Sequence, residues 1–188
     1  MNLIKVGTPV AVEGIISCGI CDQCRSGKTN LCEIYDEIGF TRDGGVSELV
    51  SIPRAQVHPL NEKVNLEVAA LIEPGAVAYR GLAHVNVNQN SSVLIIGDGT
   101  IALLSAYLLK LFSPSKVVML GKRPEQADLA KKSFVTHFTT DQSSLNDGFD
   151  ICIEASGNID ATSTGLAYIK RGGKFPLLDF YRPFLIGI

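Results

Sequence analysis

A surplus of charge of either sign is missing from this chain. Its 17 basic and 19 acidic residues are mixed along 188 positions and leave a net charge of −2. Neither nucleic acid nor an anionic membrane finds the electrostatic footprint it requires. Long apolar runs are missing too. Stretches such as SSVLIIG fall far short of the roughly 20 residues that cross a bilayer, and the opening MNLIKVGTPVAVEG has no apolar core of the secretory-signal type. A cytoplasmic protein is expected, with no membrane and no nucleic-acid partner. In such a reducing compartment structural disulfides are rare, so clustered cysteines favour metal or redox chemistry. What the chain does have is apolar material: 46% of its residues, enough for one large domain or two small ones.

Four of the five cysteines, Cys18, Cys21, Cys24 and Cys32, fall within SCGICDQCRSGKTNLC at residues 17–32. A disulfide framework, a redox pair and a metal centre are the candidates. The spacing is C-x2-C-x2-C-x7-C. Thiolates two residues apart in a turn converge on one ion, and four of them complete the tetrahedral shell of a structural zinc, with no position left for substrate. Gly19 and Gly27 supply tight turns. A redox pair needs a helix start in a thioredoxin-like unit, which nothing nearby resembles. The usual ferredoxin run ends in C-x3-C-P, whereas this one ends in C-x7-C-E. Zinc is the expected occupant. Cys152, within the apolar FDICIEAS, reads as a core residue.

A closed shell performs no chemistry, so reactivity has to lie elsewhere. Residues 91–112, SSVLIIGDGTIALLSAYLLKLF, read as a strand, a glycine turn and an apolar helix. That is the context in which G-x-G-x-x-G/A signals a dinucleotide site. Gly97 permits the turn, Gly99 lets a pyrophosphate approach the backbone, and Ala102 keeps helix and strand close. The helix start, at Thr100 and Ile101, offers free N–H groups to phosphate. Further on, KVVMLG, EQADLAKKSF, THFTTD, FDICIEASG and NIDATSTGLAYIK alternate strand-like with helix-like, as in a doubly wound parallel sheet. At the end of the second strand an NAD-binding unit places an acid that reads the adenosine ribose. Here stand Gly121, Lys122 and Arg123. Without the acid, and with two cations able to meet a 2′-phosphate, NADP is expected over NAD, and Asp at position 121 is expected to reverse that order. The alternative is a solvated loop pair.

Together these motifs resemble the zinc-dependent medium-chain dehydrogenase/reductases, the family of alcohol, polyol and threonine dehydrogenases. The cysteine loop resembles that family's structural zinc lobe. GFTRDGGVSELVSIP at residues 39–53 resembles the return to its GroES-like barrel, and LIEPGAVAYRGL at 71–82 the passage into its cofactor domain. FDICIEASG resembles a strand end lining the cofactor cleft, at Ala155. The resemblance implies an α/β protein: a partial GroES-like β domain with a structural zinc loop, residues 1–78, followed by a partial Rossmann domain with a doubly wound parallel sheet, residues 79–188. It implies hydride transfer between a secondary alcohol or polyol and a nicotinamide in the complete enzyme, in a homo-oligomer, with Glu73 of the E-P motif at a catalytic zinc.

The departures are as specific. The family's Gly-His-Glu segment has no counterpart, and His58, His84 and His137 lie outside any such context, so surface or packing roles are expected of them. A catalytic zinc needs about three protein ligands, so the 188 residues alone are expected to be inactive, as the middle of a longer enzyme. The tail holding Phe175, Leu177, Leu178, Phe180, Phe184, Leu185 and Ile186 is expected to follow RGGK as an exposed apolar segment on an open sheet edge. Two rival readings are a non-catalytic remnant or subunit that binds zinc and nucleotide, and a zinc-ribbon nucleic-acid binder, against which the acidic balance argues.

Overall fold

Strands in the first 73 residues are short, because glycine, proline and charged residues interrupt every apolar run there. The computed structural model describes residues 4–146 and 148–178, in two units, Met1–Glu73 and Pro74–Ile188. The first contains β1 (Val10–Val12), β2 (Ile15–Ile16), α1 (Asp22–Arg25), β3 (Asp36–Glu37), β4 (Val57–Pro59) and α2 (Leu66–Ala69). β1 pairs antiparallel with β4, and β2 antiparallel with β3. Asn65 caps α2, its side-chain oxygen accepting from the Glu67 N–H. Among the described residues of this unit Cys32 and Gln56 alone are buried. Two buried side chains are a thin core.

The second unit is built differently. After α3 (Ile72–Ala83) come β5 (Ser92–Ile96), α4 (Thr100–Leu108), β6 (Lys116–Leu120), α5 (Ala127–Lys132), β7 (His137–Thr139), β8 (Phe149–Glu154), α6 (Ile159–Tyr168) and β9 (Ile169–Lys174). The five strands form one parallel sheet in the order β7-β6-β5-β8-β9. Consecutive aliphatic residues in β5, β6 and β8 are what a sheet covered on both faces demands. The side-chain period of two then sorts them. Val93, Ile95, Val117, Met119, Ile151 and Ile153 pack with Ala102, Ala106 and Ala130 of the helices on one face. Leu94, Ile96, Val118 and Cys152 pack with Ala161 and Tyr168 of α6 on the other. Val93, Leu94, Ile95, Val117, Met119 and Ile153 are fully buried, and each contributes about 1.5–3 kcal/mol of apolar transfer energy. Cys152 lies in this core, where burial pushes its thiol up to about 12.

One element differs from the sequence reading. The helix expected to run through Lys170 stops at Tyr168, and Ile169–Lys174, which takes in the end of that stretch and the RGGK after it, is itself the fifth strand. Edge pairing overrides its poor strand propensity: β9 lies along β8 with an irregular register, Phe149 opposite Ile169 and Ile151 opposite Lys174. The chain then continues beside β8, where Glu154 N–H donates to the Pro176 carbonyl and Leu178 N–H to the Glu154 carbonyl. Of the tail expected to be exposed, Phe175 packs on the α6 face and Leu178 on the opposite one, over the bare backbone of Gly81. Leu177 is exposed, and Phe180, Phe184, Leu185 and Ile186 lie outside the described residues.

The starts of three strands meet at Asp150. Its Oδ2 accepts from Ser92 N–H at 2.8 Å and Ser92 Oγ–H at 2.7 Å, and its Oδ1 from Lys170 Nζ at 2.9 Å. Donation from Ser92, then from Lys170, holds the carboxyl down to about 2. Because the folded value lies below the unfolded one of about 3.9, this stabilisation is present above the unfolded value and is lost as pH falls toward 2. Asp150→Asn should therefore lower stability at neutral pH by about 1 kcal/mol, a figure discounted for solvent screening of a half-exposed pair, and should flatten the acid limb of the unfolding curve between about pH 4 and 2. Chemical denaturation across that range checks it; an acid limb unchanged in the variant would refute the assignment.

Candidate metal and cofactor sites

The loop of Cys18, Cys21, Cys24 and Cys32 folds back on itself through Gly19 and Gly27, both at positive φ, +74° and +79°, where a Cβ would be strained. Cys21 precedes α1, and the single helical turn brings Cys24 back beside it. The four sulfurs lie within 4.8 Å of one another, with Cys18 and Cys24 3.9 Å apart and Cys21 and Cys32 4.0 Å apart. All are free thiols. A tetrahedron with Zn–S bonds of about 2.3 Å has sulfur–sulfur edges of about 3.8 Å, close to these two separations. Backbone N–H groups add to the case: Ile20 and Cys21 donate to the Cys18 sulfur at 3.5 and 3.4 Å, and Cys18 donates to that of Cys32 at 3.2 Å. Such donors favour thiolates. Amides of Glu33 and Cys24 bring the Cys21 thiol down to about 6, whereas loss of solvent pushes Cys24 up to about 11. Four sulfurs this close cannot all ionise without a cation among them. The cluster fits zinc, with every ligand position filled by protein.

In the second unit the sheet reverses direction of growth between β5 and β8, the switch point at which ligands dock on open α/β sheets. Gly97 follows β5 there, at φ +117°. A Cβ on it would meet the Ala155 carbonyl oxygen at 2.7 Å, so the glycine is required by packing. Ala155 follows β8, is buried, and donates its N–H to the Ile96 carbonyl at 2.9 Å. Around Gly99 the position of a Cβ has no atom within 4 Å. Open space is what a close-approaching ligand needs. α4 starts at the next residue with no side-chain cap, so the N–H groups of Thr100 and Ile101 have no acceptor in the helix, and Ala102 is fully buried beneath them. Uncapped amides beside a bare glycine form a cradle for a pyrophosphate.

Gly121 follows β6 and donates its N–H to the Thr139 carbonyl at 2.9 Å. Next to it the structure reveals a group that the sequence reading passed over. Asp98, between the two glycines of the turn, is buried. Its Oδ2 accepts from the N–H groups of Lys122 and Arg123, both at 2.8 Å, and its Oδ1 from Arg123 Nε at 3.0 Å and Nη2 at 2.8 Å. Burial raises the Asp98 carboxyl, but the donors of Arg123 and Lys122 outweigh it and hold the group below its usual range. Arg123 is therefore partly committed, while Lys122 is exposed. The only sequence signal was a charged residue in a turn that needs none.

Glu73 is exposed on the first turn of α3, at the end of a hollow formed with Val10, Val12, Leu66 and Ala70. Among the described residues the four cysteines are the one group of three or more His, Cys, Asp or Glu side chains close enough to share an ion. Glu73 has no such companions. His58 lies 3.6 Å from Glu13, both exposed, and His137 is exposed at the start of β7.

Residues 1–62 match the model of the alcohol dehydrogenase GroES-like domain. An L-threonine 3-dehydrogenase from Rhizobium etli is 32% identical over 185 residues, which cover 92% of this chain and 53% of the relative. A sorbitol dehydrogenase from Bacillus subtilis is 29% identical, over 95% of this chain and 54% of the relative. The crystal structure of a dehydrogenase of the zinc-binding kind from Sinorhizobium meliloti, bound to NADP, superposes with a TM-score of 0.90 at 27% identity, covering 100% of this chain and 59% of that one. Over nearly all of its own length the chain is thus similar to threonine and sorbitol dehydrogenases. It spans about half the length of the curated relatives it matches.

This relationship bears on position 121, where the sequence reading expects that Asp would confer a preference for NAD. A Cβ at Gly121 would meet Asp98 Oδ2 at 2.7 Å and the Phe138 ring at 2.8 Å. No carboxylate can be added there while Asp98 keeps its place, and like charges would adjoin. Gly121→Asp is thus expected to disturb the turn rather than transfer specificity.

The thiolate geometry yields its own test. Protein purified without added metal should carry one zinc per chain by elemental analysis, and Cys24→Ser should release it and lower thermal stability. A zinc content near zero, or a visible absorption from an iron–sulfur cluster, would exclude the assignment.

Proposed function

We propose that the chain is part of an NAD(P)-dependent oxidoreductase that moves hydride between a secondary alcohol or polyol and a nicotinamide. The observation that carries this reading is the glycine turn at the reversal of the parallel sheet, bare at Gly99 and followed by an uncapped helix, in a chain akin to dehydrogenases. The nicotinamide, when bound, supplies the hydride acceptor. The chain's own residues bind and orient it. Gly97 and Gly99 with the amides of Thr100 and Ile101 would take the pyrophosphate, Ala155 would border the same cleft, and Gly121, Lys122 and Arg123 would face the adenosine ribose. The zinc of Cys18, Cys21, Cys24 and Cys32 holds its loop and takes no part in the reaction. A catalytic zinc does not fit the described residues, since Glu73 stands without two further ligands. The reading includes a homo-oligomer in the cytoplasm.

The isolated position of Glu73 favours a second reading, a subunit that binds zinc and nucleotide without turnover. These residues alone are expected to be inactive on either reading, so assays of nicotinamide reduction with polyols, threonine and alkyl alcohols, with zinc added, separate the two when run on the complete protein that contains them. Turnover selects the enzyme; nucleotide binding without turnover across the panel selects the subunit.

Cofactor choice depends on the cations at the end of β6. With Arg123 partly neutralised by Asp98, the gain from a 2′-phosphate should lie near the low end for charge-assisted contacts, about 1 kcal/mol or fivefold in affinity. Calorimetric titration should give NADP tighter than NAD by that margin. Equal affinities would leave the two cations facing solvent, and binding of neither nucleotide would end the oxidoreductase reading.

A further inference from the structure

Asp98 is the buried charge for which the dinucleotide turn itself has no use. A carboxylate has about four lone-pair sites, and here four donors fill them: the N–H groups of Lys122 and Arg123 on Oδ2, and Nε and Nη2 of Arg123 on Oδ1. It therefore has no site left with which to accept from a ribose hydroxyl, the task of an acid at the strand end. It also occupies the space that such an acid would need, since a Cβ at Gly121 would lie 2.7 Å from its Oδ2. The second Nη2 hydrogen of Arg123 goes to the Asp98 backbone oxygen at 3.0 Å. The guanidinium is thus fixed by three contacts along one edge. Its Nη1 makes no hydrogen bond among the described residues, and the side chain is 49% exposed.

We propose that Asp98 is the positioning residue for recognition of the nucleotide's 2′-phosphate, an inference that rests on the nucleotide-binding function proposed for this chain. It fills the gap left by the missing side chain at Gly121 and turns Arg123 from a freely rotating surface cation into a fixed donor with Nη1 presented outward. Arginine suits the task because one edge of its planar fork can be anchored while the other stays available. The ordering of the side chain is completed on folding, so that none of it opposes binding.

Simple charge arithmetic predicts the opposite sign. An anion this near a 2′-phosphate should repel it, so neutralising Asp98 should tighten NADP. Positioning predicts that the same change loosens it.

Calorimetric titration of NADP and NAD into the unaltered chain, Asp98→Asn, Arg123→Lys and the double variant decides between them. In Asp98→Asn the ratio of NADP to NAD affinity should fall from about fivefold toward one, because the fork that tells the two apart is no longer held. Arg123→Lys keeps the charge, loses the fork, and should lower the ratio comparably. In the double variant the second change should add little, because both remove the same arrangement. Equal weakening of both nucleotides, a ratio that is unchanged or rises in Asp98→Asn, or additive losses in the double variant would each overturn the proposal. Should Asp98→Asn fail to fold, Arg123→Lys, at a half-exposed side chain, decides alone: an undiminished ratio overturns it. Binding of neither nucleotide to the unaltered chain overturns the nucleotide reading itself, and this inference with it. An undiminished ratio with both nucleotides bound removes only the role of Asp98.

Discussion

Gly97 and Ala155 touch across the line where the strand order reverses, and no side chain fits between them. This contact constrains the path of the chain beyond β5. The backbone must leave that strand at positive φ, which aims the turn over the ends of the strands and starts α4 at once, before any residue can cap it. The same turn sets Asp98 beside the end of β6. Were Gly97 to carry a methyl group, the Ala155 carbonyl at 2.7 Å would have to move. That carbonyl belongs to a strand end buried in the sheet, so β5 and β8 could not both keep their register.

The first unit has no comparable constraint of packing. With Cys32 and Gln56 as the buried residues among those described, apolar burial gives it a few kcal/mol at most by the usual area arithmetic. A structural zinc contributes about 10–16 kcal/mol in small metal-bound peptides, more than apolar burial supplies here. Ligation fits the loop from Cys18 to Cys32, a polar segment with glycine turns that places four sulfurs within 4.8 Å with little apolar support.

What could be read from the sequence was what local chemistry decides. Consecutive aliphatic runs announced strands buried on both faces, and β5, β6 and β8 are such strands. The cysteine spacing announced convergence on one point, and the sulfurs converge. β9 was not legible, because IKRGGK carries one aliphatic residue and two glycines; its strand form comes from pairing with β8 and from the ion pair of Lys170 with Asp150. The packing of Phe175 and Leu178 was hidden for the same reason, since their partners lie far off in the chain. Asp98 was hidden by distance too: its donors stand 24 and 25 positions away, and no periodicity links an acid in one loop to a cation in the next.

Position 121 shows how such a hidden contact changes a functional argument. From the sequence, Lys122 and Arg123 count as two free cations, and an absent acid counts as a gap that a substitution could fill. In the fold the gap is already occupied by Asp98, and the positive charge near the proposed ribose site is closer to one unit than to two. In the dielectric of bulk water a unit charge about 4 Å away is worth only about 1 kcal/mol, so for groups open to solvent discrimination between cofactors cannot rest on charge alone. It has to come from geometry, from how firmly the remaining donors are held where a phosphate would sit. A buried carboxylate with every lone pair engaged supplies that firmness, and in doing so it gives up any contact of its own with the nucleotide.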